Sequence, residues 1–144
     1  MIQLIAFGSP DYLLTLTFRE RHLRRPLGLE LTAEDRVDEE LQFHIASVEA
    51  EGIVGTVVLK PMSHKIARLR QMAVAPERRN SGLGRDLVSF AETIADRHGF
   101  DRIEMDARLT ARRFYERLGY EAHGDAFIEV TIPHIKMSKE LSAC

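Results

Sequence analysis

The sequence lacks the features that mark several large classes of protein. Its single cysteine, Cys144, is the last residue, which excludes an internal disulfide, fits a reducing cytoplasm and argues against a catalytic thiol. No apolar run approaches the length of a membrane span, and residues 1–8 lack the basic region and apolar core of a signal peptide. We therefore expect a soluble, cytoplasmic protein with no membrane partner.

A large excess of charge of one sign is also missing. The formal net charge is -2, and acidic and basic residues are mixed along the chain, so we expect no nucleic-acid partner. We assign no metal site. With 144 residues and 44% hydrophobic content, the chain can bury one core, and we expect a single domain over residues 1–144.

Hydrophobic periodicity and capping residues predict alternating strands and helices. A serine, a proline and an acidic residue in succession begin the first helix, and Pro26 ends it. In chain order, we predict a strand at 2–7, a helix from Ser9 to Leu23, a polar loop or short helix at 27–40, strands at 41–45, 53–59 and 66–74, a helix at 86–98, a strand at 102–106, a helix that Thr110 caps and Gly119 ends, and strands at 120–130 and 134–137.

The turn at residues 79–84 is the most informative stretch of the chain. It follows a predicted strand and precedes an amphipathic helix, so its backbone N–H groups and the positive end of the helix dipole point at one spot. Gly82 and Gly84 leave backbone uncovered, and the neighbouring arginines add positive charge. The sequence therefore predicts a site for a diphosphate, with a capped turn that binds no ligand as the alternative.

The spacing of the glycines narrows the choice of diphosphate. A P-loop requires Gly-Lys-Ser/Thr after a four-residue spacer, and a dinucleotide-binding turn requires a third glycine with an acidic residue at the end of the next strand. Neither pattern is present. An enzyme that binds a nucleotide phosphate in the same turn stays an alternative.

Two blocks of sequence resemble the GNAT superfamily of acetyl-CoA-dependent N-acetyltransferases. The pattern R-x-x-G-x-G at residues 79–84 resembles the superfamily's pyrophosphate loop, and ARRFYERLGY at residues 111–120 resembles its A-x-x-F-Y-x-x-L-G-Y/F helix and following strand. The opening segment 18–28 and the ending 129–137 look like one group of small bacterial members. The resemblance covers nearly the whole chain, and its specific part is residues 69–120.

The resemblance implies an α/β (α+β) fold with the element order β-α-(α)-β-β-β-α-β-α-β-β. A mixed, mostly antiparallel central sheet of about seven strands would be flanked by about four helices. Two adjacent strands would separate, and the pantetheine arm of the cofactor would lie in the gap and pair with backbone.

The same resemblance implies acetyl-CoA as the cofactor. Asn80 stands where the family often has glycine, and Asn tolerates left-handed backbone better than most residues. Arg108 stands where many members carry an asparagine that bonds the pantetheine. The cofactor-binding residues expected on this basis are Met72, Ala73, Val74, Arg79, Asn80, Ser81, Gly82, Leu83, Gly84, Arg108 and Phe114.

Catalysis would depend on a general acid and an oxyanion donor, which the resemblance indicates, and on a base, for which only the residue type offers candidates. Tyr115 occupies the position of a tyrosine near the coenzyme sulfur, and a phenol is protonated at neutral pH and ready to donate to a thiolate. The backbone N–H of Val74 is the candidate oxyanion donor, and His134 is a candidate base or substrate contact. Tyr115 and His134 also have structural interpretations, as a core aromatic and as a hydrogen-bonded strand residue. Other candidate bases are Glu104, Glu129, His44 and a water molecule.

We therefore predict an N-acetyltransferase that moves an acetyl group from acetyl-CoA to a primary amine of an unidentified small molecule or peptide. The alternative of another class is a non-catalytic acyl-CoA-binding sensor or interaction module. A homodimer is common in the superfamily, although no apolar stripe here requires one. Arg19, Arg24 and Arg25 could bind an acidic group of the substrate, but a solvated helix face explains them more simply.

Overall fold

A seven-stranded sheet forms the centre of the protein in a computed structural model, which describes residues 1–141. The interpretation of Cys144 lies outside the described residues. The strands are β1 (Ile2–Ile5), β2 (Phe43–Glu49), β3 (Gly52–Pro61), β4 (Ile66–Val74), β5 (Arg102–Arg108), β6 (Glu121–Glu129) and β7 (Ile132–Glu140).

The helices are α1 (Pro10–Arg19), α2 (Leu83–Arg97) and α3 (Arg112–Arg117), and a π-helical turn, Glu20–Arg24, continues α1. These four helical segments and the seven strands confirm the predicted fold class and element order. Short 3₁₀ turns lie at Arg25–Leu27, Glu34–Arg36, Glu39–Leu41, Pro76–Arg78 and Leu109–Ala111.

The strands are arranged in the order β1-β2-β3-β4-β5-β7-β6. All neighbours are antiparallel except β4 and β5, which are parallel because α2 carries the chain back across the sheet. The parallel pair joins the β1–β4 meander to the C-terminal strands, and the chain passes from one to the other through the predicted phosphate-binding turn. The fold therefore places that turn just beyond the carboxyl end of β4, the central strand of the sheet.

Helices cover the two faces of the sheet unequally. The main core lies between the sheet and α2, whose apolar positions repeat at helical spacing and pack against the sheet, as the sequence predicted. The helix ends at Arg97, and Gly99, two residues beyond, has a φ of +83°, the left-handed conformation expected just after a helix C-terminus. Two smaller clusters lie beneath α1 and the π-helical turn on the opposite face. Residues buried along α2 are Leu87, Val88, Ala91, Ile94 and Ala95.

Some predicted boundaries were wrong. The first helix is α-helical only to Arg19, because the backbone widens into the π-helical turn before the proline at position 26. Leu41 belongs to a 3₁₀ turn and is exposed, so the second strand begins at Phe43. Thr110 makes no capping bond, because a 3₁₀ turn precedes α3 and places Ala111 at the N-cap.

Candidate active site

Strands β4 and β5 separate towards their carboxyl ends. Their parallel ladder is confined to the first three residues of each strand, Ile66–Arg68 and Arg102–Glu104. Both strands continue beyond it, β4 as far as Val74 and β5 as far as Arg108. The gap between these ends leaves a free backbone edge on β4, which an extended ligand could pair with as an additional strand.

A β-bulge at Gln71 sets which side chains of β4 point to each face of the sheet. Gln71 has a left-handed φ of +55°, and one extra residue of β4 is inserted opposite β3 at this point. Leu69 faces the α2 core, and without the bulge Ala73 would face it too. With the bulge, Met72 and Val74 pack on that core, and Ala73 turns towards α1.

The backbone N–H of Val74 points into the gap. Val74 lies directly opposite Gly55 of β3, and the next N–H, that of Ala75, donates to the Val54 carbonyl at 2.9 Å. In an antiparallel ladder these two facts make Val74 and Gly55 a non-hydrogen-bonded pair. The N–H and C=O of Val74 therefore point away from β3, which is the direction that the oxyanion hypothesis requires.

The turn at residues 79–84 has the backbone of an anion-binding nest. Asn80 and Gly82 have left-handed φ values of +62° and +87°, so the asparagine adopts the conformation that the turn needs. The Ser81 hydroxyl donates to the Arg78 carbonyl and closes the turn. Within residues 1–141, the N–H groups of Ser81, Gly82 and Gly84 donate to no protein acceptor, which leaves them available to a ligand.

Gly84 allows the first turn of α2 to approach its neighbours. A Cβ at this position would lie 3.2 Å from the Cε of Met72 and 3.2 Å from the Cζ of Phe114. The glycine of the motif, the β4 side chain and the α3 aromatic therefore pack together. Leu83, beside it, packs on both the main core and the cluster beneath α1.

Tyr115 projects from α3 into the core and also lines the cleft. Only 6% of the residue is exposed, and its ring makes edge-to-face contacts with Phe114 and Tyr120, whose centroids lie 5.0 Å and 5.8 Å away. Burial raises the pKa of the Tyr115 phenol to about 12. The phenol is therefore protonated at physiological pH, and its core packing fixes its position.

A cleft of about 960 Å³ joins the turn, the gap and the opposite face of the sheet. On the α2 side it is lined by Met72, Val74, Arg79, Asn80, Gly82, Gly84, Ala111, Phe114 and Tyr115. On the α1 side it is lined by Arg24, Glu34, Asp35, Lys60, Arg68, Arg70, Asp106, Arg108, Glu129 and His134. The cleft therefore reaches both faces of the sheet, as two reactants would require.

Two of the four candidate side-chain bases line the cleft, and the other two do not. His134 and Glu129 both line the cleft, with His134 Nε2 lying 3.9 Å from Glu129 Oε2. The Nδ1 atom of His134 donates to the Ile132 carbonyl at 2.8 Å. Glu104 lies outside the cleft lining, and His44 is buried against Tyr12 beneath α1.

Arg108 lies on the α1 side of the sheet, across from Tyr115. Its Nη2 donates to the Leu23 carbonyl at 3.1 Å and so connects β5 to the π-helical turn. The neighbouring Arg24 forms an ion pair with Asp35 at 2.9 Å, which connects the same turn to the segment before β2. Arg24 is buried, so its interpretation as part of a solvated helix face was wrong for that residue.

Sequence reasoning missed a buried ionic cluster behind the α1 wall of the cleft. The Glu39 carboxylate is fully buried and accepts from Arg19, at 3.0 and 2.5 Å, and from Arg70, at 2.8 Å. Tyr12 also donates to it at 2.6 Å, and Arg19 donates to Gln71 at the bulge. The solvated-face interpretation was therefore wrong for Arg19 too, although its place on the buried face of α1 is a signal that could have revealed it.

A comparison with known families decides what kind of domain contains this site. The profile of the acetyltransferase (GNAT) domain matches residues 19–141, which include both separated strands and the turn. The chain belongs to the GNAT acetyltransferase family. As a family member it transfers an acyl group from coenzyme A to an amine, which confirms the predicted activity and the acetyl-CoA cofactor at the level of the family.

Individual proteins and solved structures are similar to this chain over most of its length. The chain is 32% identical over 108 residues to the uncharacterized protein YyaT of Bacillus subtilis, covering 75% of this chain and 72% of YyaT. It is 28% identical to the putative acetyltransferase BSU40680 of the same organism, covering 80% and 77% of the two chains. A putative N-acetyltransferase from Lactobacillus plantarum superposes with a TM-score of 0.84 at 26% identity, covering 98% and 99%. An aminoglycoside 6'-N-acetyltransferase complexed with coenzyme A shares the fold, with a TM-score of 0.78, 20% identity and coverage of 97% and 96%.

The described residues also bear on two other kinds of feature, a membrane-spanning helix and a metal site. Over residues 1–141, no helix has the length and apolar composition of a membrane span. The same residues contain no group of three or more His, Cys, Asp or Glu side chains arranged to hold a metal ion. A cytoplasmic location and a homodimer stay predictions.

Proposed function

We propose that this chain is a single-domain N-acetyltransferase whose separated β4 and β5 strands and 79–84 turn bind acetyl-CoA, and whose acceptor is a primary amine of a small molecule or peptide. The observation that carries the proposal is the coincidence of three features in one cleft. A nest of unpaired amides, a free strand edge and a buried, protonated tyrosine all line it.

The 79–84 turn fits a pyrophosphate. Its unpaired amides at Ser81, Gly82 and Gly84 would donate to phosphate oxygens, and the positive end of the α2 dipole lies at the same place. Arg79 and Arg85 line the cleft beside the turn and would add charge. These contacts support the expectation that residues 79–84 bind the cofactor.

The free edge of β4 fits the pantetheine arm. Met72 and Val74 would offer backbone groups to its amides, with no requirement for particular side chains. Ala73 lies opposite Thr56 in a hydrogen-bonded pair, so its own N–H and C=O face β3 and its expected backbone contact with the cofactor is not supported. Acetyl-CoA supplies the acetyl group as a reactive thioester. The Val74 N–H, which points into the gap, would donate to the oxygen on which negative charge develops.

Tyr115 would act as the general acid. Its burial keeps the phenol protonated, with a pKa raised to about 12, and a protonated phenol can donate to a departing thiolate. Its packing against Phe114 and Tyr120 fixes the direction of the hydroxyl, so little orientation has to be established at the moment of reaction.

His134 would act as the general base. A carbonyl only accepts hydrogen bonds, so the contact with Ile132 assigns the proton of the neutral imidazole to Nδ1 and leaves the lone pair on Nε2. The Glu129 carboxylate lies 3.9 Å from Nε2 and would stabilise the imidazolium that forms when Nε2 takes a proton. His134 lines the cleft on the α1 side of the sheet, where the acceptor amine would bind.

Turnover separates an enzyme from a coenzyme-binding sensor. We would measure thiol release from acetyl-CoA with a panel of amines, including polyamines, amino sugars, amino acids and peptide N-termini, for the wild type and Tyr115→Phe. We expect turnover with at least one class and a kcat lowered about 100-fold or more in the variant. Tight coenzyme A binding with no turnover on any amine would instead support the sensor.

A thermal melt separates the coenzyme from a nucleotide. A ligand at a hundred times its dissociation constant stabilises a protein by about 2.7 kcal/mol, which is measurable in a melt. We expect acetyl-CoA to raise the melting temperature far more than ATP at the same concentration. Equal shifts would favour a nucleotide-phosphate enzyme.

A further inference from the structure

We propose that the acceptor amine also carries a carboxylate, and that Arg108 binds this carboxylate. The proposal rests on the acetyltransferase function proposed above and narrows its substrate to amino acids and compounds of the same kind. It assigns Arg108 to the acceptor instead of the pantetheine contact that the family resemblance implies.

Arg108 is a cation without a counter-ion among residues 1–141. Within that range, the only hydrogen bond of its guanidinium is the one to the Leu23 carbonyl, and no carboxylate lies within ion-pair distance. The side chain is half-buried and lines the cleft. Burial and the positive charge of Arg24 lower the pKa of Arg108, which is the expected effect of an environment that opposes its charge.

The other arginines on this side of the cleft are already paired. Arg24 pairs with Asp35 at 2.9 Å. Arg70 pairs with Glu39 at 2.8 Å, and Arg68 with Asp106 at 3.4 Å. Within residues 1–141, the unpaired donors of Arg108 therefore distinguish it from these neighbours, and the residue lines the cleft in which the acceptor would bind.

A carboxylate is the anion that a guanidinium in this position fits best. The planar fork of arginine can donate two parallel hydrogen bonds to a carboxylate, and partial burial strengthens them. A polycationic acceptor would find few free partners here, because Asp35 and Asp106 already pair with cations of the protein and Glu129 lies 3.9 Å from His134. Among residues 1–141, this leaves Glu34 as the cleft carboxylate with no ion pair. The pairing pattern thus favours an amine with an acidic group over a polyamine.

Arg108 also lies next to the proposed base. Its cross-strand partner in the β5–β7 ladder is His134, and directly opposite residues of an antiparallel pair have Cα atoms about 5 Å apart. Both side chains line the same cleft. A short amino acid could therefore place its carboxylate at Arg108 and its amine near His134 Nε2.

Matched pairs of acceptors test the proposal. We would measure kcat/KM for α-amino acids, β-alanine and 4-aminobutyrate, each beside its carboxamide, in the wild type, Arg108→Gln and the exposed control Arg113→Gln. We expect the wild type to prefer at least one acid over its amide by about 10- to 150-fold, the range of a charge-assisted hydrogen bond. Arg108→Gln should lose that preference through a raised KM for the acid, and Arg113→Gln should behave as the wild type.

Direct binding keeps this inference distinguishable from the acetyltransferase function. We would titrate coenzyme A into each variant, and then the N-acetyl amino acids and N-acetyl amino amides into each coenzyme complex. Selective binding of the acids that Arg108→Gln abolishes would support the inference even if no amine were acetylated. Equal binding of acids and amides by the wild type would overturn it, and so would an Arg108→Gln variant that loses coenzyme A affinity and retains the preference for acids.

Discussion

The buried cluster around Glu39 should contribute a large part of the stability of this small domain. Burial alone would raise the pKa of the Glu39 carboxyl, but hydrogen bonds from Arg19, Arg70 and Tyr12 outweigh it and lower the pKa to about 2. Relative to the ordinary glutamate value of 4.5, this shift corresponds to about 3 kcal/mol of stabilisation at neutral pH. Removing one partner of a buried ion pair costs about 3–5 kcal/mol, which is the same range.

Glu39→Gln should therefore lower the free energy of unfolding by about 3 kcal/mol at pH 7, because it leaves Arg19 buried with no anion. Urea denaturation followed by circular dichroism measures this loss. Glu40→Gln is the matched control, since Glu40 is the next residue, has the same chemistry and is exposed. We expect the control to change stability by less than about 0.5 kcal/mol.

The pH dependence gives an independent measurement. A carboxyl whose pKa is lower in the folded state stabilises the protein above its unfolded pKa, and this contribution disappears as the pH falls through the folded pKa. The wild type should therefore lose stability between about pH 4.5 and pH 2 more steeply than Glu39→Gln. A Glu39→Gln loss below about 1 kcal/mol, or parallel pH profiles of the two proteins, would refute the reasoning.

Further predictions concern the proposed catalytic groups and the glycines. In Tyr115→Phe, kcat should fall while the KM for acetyl-CoA is unchanged, and the wild-type kcat should show no alkaline decline below about pH 10 from this phenol, whose pKa is about 12. His134→Gln should lower kcat about 100-fold or more and leave the KM for acetyl-CoA unchanged, whereas an unaltered kcat would assign the base elsewhere. Gly82→Pro should abolish the acetyl-CoA shift in a thermal melt, because φ of +87° is closed to proline; a retained shift would place the coenzyme elsewhere. Gly55→Ala should cost about 1–3 kcal/mol in urea denaturation, because the new Cβ would lie 2.8 Å from Leu87 Cδ1.

Much of the fold could be predicted because it is encoded locally. The β4 strand and the buried positions of α2 follow from periodicities that each segment carries by itself. The prediction was wrong where tertiary contacts override the local secondary-structure propensity. Leu41 looks like the first residue of a strand, but the burial of the Glu39 carboxylate in its cluster holds this stretch as a 3₁₀ turn.

The candidate site was predictable in part for the same reason. The 79–84 turn is local, so its glycines and its asparagine indicate a nest from the order of residues alone, and the left-handed conformation of Asn80 agrees with that expectation. Arg19 shows the opposite case. Its spacing from the other buried positions of α1 could have indicated that it is buried, but it could not indicate the partner, the Glu39 carboxylate twenty residues away along the chain.

The sequence by itself determined the glycine-bearing turn at residues 79–84, the amphipathic helix after it and the class of domain, because these depend on residues a few positions apart. Only the tertiary structure decided that β4 and β5 separate and that the Val74 N–H faces the gap. It also decided that Arg108 and His134 stand side by side while Glu104 lies outside the cleft. Those facts depend on register and on the bulge at Gln71, where a shift of one residue exchanges the two faces of a strand.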